Sequence, residues 1–80
     1  MHELGVLCQA VGTVSRIARE NKIGRVRHMT LEVGSESGYV PAFFEKLFPV
    51  AVDRHPVMHG AELRIVSVPG RGLTIRDFGY

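Results

Sequence analysis

The hydrophobic pattern of this chain changes period within its first 34 residues, and that change limits the class of fold. Leu4, Leu7, Cys8, Val11, Val14, Ile17 and Ala18 recur at spacings of three and four. This lays one apolar stripe along a helix over 4–21. Arg16, Arg19 and Lys22 fall in its last third, where positive charge complements the helix dipole, and Gly24 reads as the stop. Gly5 and Gly12 each cost about 1 kcal/mol against alanine in a helix, so they weaken it or mark the close approach of another backbone. Over 25–34 the period drops to two. Met29, Leu31 and Val33 face one side and His28, Thr30 and Glu32 the other, the pattern of a half-buried strand ending at Gly34.

The rest of the chain supplies three more elements. Residues 34–38, Gly-Ser-Glu-Ser-Gly, are a loop by composition. Pro41 suits the first turn of a second helix, where its missing N–H costs nothing. Val40, Phe43, Phe44, Leu47 and Phe48 make that helix's buried stripe, and Pro49 should kink or shorten it near residue 48. His55-Pro56 opens a loop that runs to Gly60. Residues 61–68 are a second strand, with Leu63 and Ile65 on one face and Val66 and Val68 on the other. Pro69-Gly70-Arg71-Gly72 is a turn. Residues 73–78 are a third strand, expected to pair antiparallel with the second because the connection is so short. The order helix-strand-helix-strand-strand implies a single α+β domain over 1–80, two helices on one face of a three-stranded mixed sheet.

Composition narrows the function. Ten Lys and Arg against eight Asp and Glu leave a charge of +2, too small an excess to point to nucleic acid. One cysteine excludes an internal disulfide framework and an all-cysteine zinc site. No run approaches eighteen apolar residues, and the Met-His-Glu-Leu start lacks a basic leader, so a cytoplasmic protein is expected. A chain of 80 residues buries only about 60–65% of its unfolded surface. Self-association, as a homodimer through the second helix or an open edge strand, is therefore expected to be within reach.

The chemistry concentrates at the N-terminus. The amine of Met1, the amide nitrogen of His2 and its imidazole can close two fused chelate rings on one metal ion. The amide or carboxylate of Glu3 would supply a fourth donor. Nitrogen-rich planar coordination suits Ni(II) and Cu(II), whereas Zn(II) prefers a tetrahedron. The competing explanation is an exposed terminus with an acidic residue at the start of a helix.

The Met-His-Glu-Leu start, Cys8-Gln9 within an amphipathic helix and Leu31-Glu32-Val33-Gly34 before a loop resemble the HypA/HybF nickel metallochaperones. So do Gly60-Ala61-Glu62-Leu63 and Val68-Pro69-Gly70-Arg71. The likeness runs over residues 1–71 in order. It implies a protein that helps insert nickel into [NiFe]-hydrogenase and sometimes urease, with a HypB-type GTPase and a nickel-enzyme precursor as partners. It also implies that His2 and the neighbouring nitrogens of Met1 bind Ni(II), supported by Glu3. Members of that family usually carry a zinc-binding segment with two Cys-x-x-Cys pairs after the Pro-Gly-Arg stretch. This chain has no cysteine after Cys8, so the resemblance implies a nickel domain in which the turn at 69–72 replaces the zinc segment, with no structural zinc.

The remaining candidates have plainer explanations. His55 and His59 are four apart, but Pro56 and Gly60 argue against a helix there. His28 packs or meets solvent, and Cys8 behaves as a small hydrophobe unless exposed. Arg25, Arg27, Arg64 and Arg76 could share one strand face, as a solvated surface or, as the sharper reading, one that meets an acidic partner or nucleic acid. No phosphate loop, nucleophile–base pair or carboxylate pair appears, so an enzyme is not expected. The competing functions are an interaction module that has lost metal transfer and a small nucleic-acid-binding domain.

Overall fold

In a computed structural model, which describes residues 2–80, the elements run α1 (Glu3–Glu20), β1 (His28–Gly34), α2 (Pro41–Ala51), one 3-10 turn (Pro56–Met58), β2 (Glu62–Val68) and β3 (Leu73–Gly79). The element order and the mixed three-stranded sheet agree with the sequence reading. Met29, Leu31 and Val33 of β1 are buried against Leu7, Val11, Val14 and Ala18 of α1 and Phe44 and Phe48 of α2.

The stripe on α1 is turned from the one expected. Ala10 and Ser15 are inside, while Leu4 and Cys8 are exposed and Ile17 is half-buried. Small side chains let a helix lie close in a tightly packed interior, so here they outrank larger apolar ones at the helix edge. Gly5 and Gly12 are not points of close approach, since an added Cβ would meet nothing within 4 Å at either. The helix stops before Gly24. Lys22 takes the left-handed conformation (φ 57°). Its N–H donates to the Arg19 carbonyl at 3.1 Å, and that of Ile23 to the Ala18 carbonyl at 2.8 Å. This is a Schellman ending with lysine in place of the usual glycine.

Pro41 is the first residue of α2, as expected, but Pro49 neither ends nor shortens the helix. It removes one N–H from the ladder, and the Val52 N–H still closes onto the Phe48 carbonyl at 3.1 Å. The lost bond is the one from position 49 to the carbonyl of Glu45, an exposed residue. Phe44, Phe48 and Ala51 are buried, whereas Val40 and Phe43 are 42% and 49% exposed.

The largest departure is in the sheet. The strand order is β2-β1-β3: β1 pairs parallel with β2 and antiparallel with β3. The expected hairpin of β2 with β3 does not form. Residues 69–72 instead cross the end of β1 from one sheet edge to the other. The Gly34 N–H donates to the Gly72 carbonyl at 2.8 Å, the Ser35 N–H to Val68 at 2.7 Å and the Glu36 N–H to Gly70 at 2.8 Å. The crossing lies so close on β1 that a Cβ at Gly34 would overlap the Gly70 carbonyl. Gly70 itself needs φ +100°, which a side chain would resist. No described helix is long and apolar enough to cross a membrane.

Candidate metal centre

The N-terminus of α1 brings His2 and Glu3 together with opposite environments. His2 is the N-cap residue and is exposed, and its side chain makes no capping hydrogen bond. Its carbonyl accepts the Val6 N–H at 3.2 Å, which opens the helical ladder. The amide nitrogens of His2 and Glu3 stand ahead of that ladder, which opens at the Val6 N–H. They lie at the positive end of an 18-residue helix, where a deprotonated, anionic amide ligand is favoured.

Glu3 is only 4% exposed. Its Oε2 accepts the backbone N–H of Val40 at 3.0 Å, and Val40 is the N-cap residue of α2. One carboxylate thus ties the starts of both helices together. The Val40 hydrogen bond holds the Glu3 carboxyl below its ordinary pKa against the opposing effect of burial, helped by its own N–H and by the neighbouring His2. Leu4, Val40 and Phe43, all partly exposed, put apolar surface beside the junction. Met1, the remaining expected donor, lies outside the described residues.

The other candidates do not assemble into a ligand set. Among the described residues no group of three or more His, Cys, Asp or Glu side chains is placed to hold a metal ion. His55 and His59 flank a single 3-10 turn, and the His59 Nε2 lies 2.9 Å from the Asp53 carbonyl. Cys8 is exposed rather than packed in the core. His28 sits over Gly79 with its Nε2 3.5 Å from Asp77 Oδ1.

The four arginines do not share one face. Arg64 pairs with Glu62 and Arg76 approaches Glu32 at 3.8 Å, so the outer sheet face alternates in sign. Glu62 is held below its ordinary pKa chiefly by its hydrogen bond from Arg64. Arg25 and Arg27 turn away to a pocket at the far end of α1, shared with Phe78 and Tyr80. That pocket was not anticipated from the sequence. The available signal was the crowding of cations over 16–27.

Comparison with known proteins agrees with the fold and its order. The family described as hydrogenase/urease nickel incorporation, metallochaperone, hypA matches residues 1–73. The hydrogenase maturation factor HypA of Trichodesmium erythraeum is 39% identical over 72 residues, which is 90% of this chain and 60% of that protein. Hydrogenase maturation factor HypA 1 of Bradyrhizobium diazoefficiens is 37% identical over 70 residues, 88% of this chain and 61% of its own. The chain thus spans about 60% of the length of these curated relatives. The solution structure of the Ni metallochaperone HypA from Helicobacter pylori superposes with a TM-score of 0.77 at 18% identity, covering 96% of this chain and 72% of that one.

Proposed function

This chain belongs to the HypA family of hydrogenase/urease nickel-incorporation proteins, and on that premise we propose that it binds Ni(II) at the start of α1 and delivers it. The observation that carries this reading is the exposed His2 imidazole directly ahead of a helix whose first amides are outside the ladder. In this reading Met1 supplies its amine, His2 its amide nitrogen and imidazole, and Glu3 its amide nitrogen. The Glu3 carboxylate then acts as a positioning group, since it is turned to Val40. A square-planar Ni(II) bound this way stays open above and below its plane. An incoming thiolate or imidazole enters there and displaces the weakest donor, and protonation of the imidazole aids release. The role is that of a carrier, not an enzyme.

The recipient in this reading is a nickel-enzyme precursor, with a HypB-type GTPase as the second partner, in the cytoplasm. The 69–72 crossing stands in place of the family's zinc segment, and residues 1–80 form one nickel-binding-type domain without structural zinc.

The test is a Ni(II) titration of protein whose first residue is Met1, followed by its planar d–d absorption. An N-terminally extended form and His2→Ala should both lose that absorption, because one moves the amine and the other removes the imidazole. His55→Ala and His59→Ala should retain it. Equal affinity in the native, extended and His2→Ala proteins would place the metal elsewhere. Absence of binding in the native protein would favour an interaction module that has lost metal transfer.

A further inference from the structure

The opposite pole of the molecule carries a second, chemically different surface. Eighteen residues of α1 place its C-terminal end about 27 Å from His2, at 1.5 Å per residue. A pocket of about 550 Å³ opens there, lined among others by Lys22, Ile23, Arg25, Arg27, Phe78 and Tyr80. Five of the ten cations, Arg16, Arg19, Lys22, Arg25 and Arg27, fall within residues 16–27, against Glu20 alone among the acids. That segment is therefore +4, and the rest of the chain, with five cations and seven acids, is −2.

The cations of the pocket are unspent. Arg16 pairs with Glu20, Arg64 with Glu62 and Arg76 with Glu32. Lys22, Arg25 and Arg27 have no such carboxylate partner among the described residues. Lys22 lies just past the C-terminus of α1, so part of its charge offsets the helix dipole. The two guanidinium groups remain in surplus.

Their mounting is fixed. The Val26 N–H donates to the Val57 carbonyl at 2.8 Å, the Arg27 N–H to Gly79 at 2.7 Å, and the Arg27 carbonyl accepts the Glu62 N–H at 2.9 Å. Beside them the Phe78 and Tyr80 rings lie 6.3 Å apart between centroids. Tyr80 is 74% exposed, so an aromatic wall borders the cations.

We propose that this pole docks an acidic, extended segment of a partner protein. Arg25 and Arg27 would grip two carboxylates, with an apolar or aromatic side chain of the segment against Phe78 and Tyr80. The two arginines are separated by one residue and open into one pocket. They match carboxylates two residues apart on an extended chain, about 6.6 Å along it, each held as a bidentate pair. A nucleic acid fits less well. Its phosphates continue past any contact, whereas the cations stop at this pole and the remaining surface is net negative. Docking here leaves the His2 end exposed, and it goes beyond the nickel reading without depending on it.

The probe is a labelled nine-residue peptide, Gly-Ser-Glu-Leu-Glu-Tyr-Glu-Gly-Ser, added to the full chain and followed by anisotropy and by amide chemical shifts. Binding should weaken about tenfold or more for Arg25→Gln/Arg27→Gln, and should fall as salt rises. Tyr80→Ala should weaken it severalfold. Shifts should map to residues 22–27 and 78–80. Both variants change exposed side chains, and Ni(II) titration should be the same as in the native protein. Equal binding of the peptide with Gln in place of Glu would overturn the proposal. So would shifts centred on the His2 end, tighter binding of a single-stranded oligonucleotide than of the peptide, or no binding at millimolar peptide.

Discussion

Glu3 ties the starts of both helices together through one side chain. Its carboxylate is buried on the Val40 N–H, and its pKa in the fold lies below the ordinary value of 4.5. A depressed carboxyl stabilises the fold fully above its unfolded pKa and loses that contribution as pH falls through the folded value. Glu3→Gln should therefore lower the urea midpoint at neutral pH, and the gap to the native protein should narrow progressively as pH falls below 4.5. A gap that stays constant with pH would assign the loss to packing instead. Two glycines make a paired test of what a methyl group meets. At Gly34 it meets the Gly70 backbone, which cannot move without undoing the crossing. At Gly79 it meets only the His28 ring, which can swing outward from Asp77. Gly34→Ala should cost about 2 kcal/mol or more, and Gly79→Ala under about 1 kcal/mol. Thermal melts of both variants check the order, and the reverse order would mean the crossing is pliant.

At the scale of elements, the helices and β1 were legible because one face of each is apolar at its own period. What the period did not give was orientation to within one residue. Ala10 and Ser15 went inside in place of Leu4 and Cys8, a choice made by how near α1 lies to the sheet. The end of α1 was misplaced because Lys22, not a glycine, adopts the left-handed turn, and tertiary packing of Ile23 against the core compensates. Pro49 does not shorten α2, since a proline in the last turn of a helix removes a single bond from the ladder. Strand pairing was the least legible feature. A four-residue link reads as a hairpin, and no local pattern reports that the link passes over the Gly34 end of β1. Of the candidate site, the order of residues singles out His2 and Glu3 but not the Glu3–Val40 contact, which joins positions 37 apart. Gly12 offers the element-scale prediction. It is helical, with open space where a Cβ would go, so Gly12→Ala should stabilise α1 by about 0.5–1 kcal/mol. A raised melting temperature with unchanged nickel titration is the expected outcome, and a fall would mean the added methyl disturbs a contact of α1.

Taken whole, the molecule is an α+β domain whose two poles differ in chemistry, an apolar-rimmed helix start at one end and a basic pocket at the other. Both depend on β3, the last strand. β3 is hydrogen-bonded to the central strand β1, and Leu73, Ile75 and Phe78 pack on the core from it. Full burial of such side chains stabilises by about 1.5–3 kcal/mol each, and these are partly buried, so together they contribute several kcal/mol. A domain of 80 residues has a net stability of about 4–12 kcal/mol, which makes the third strand comparable to the whole margin. In this arrangement the chain closes its own sheet through residues 69–72, Pro-Gly-Arg-Gly, which carry no Cys, His, Asp or Glu. Chelation with EDTA should therefore shift the melting temperature by no more than about 1 °C, whereas removal of residues 73–80 should abolish the cooperative melt and the near-ultraviolet signal of the packed aromatic rings. A large loss of stability with chelator, restored by zinc, would show that folding draws on a metal site. A truncated chain that still melted cooperatively would show that β1 and β2 hold the core without their third strand.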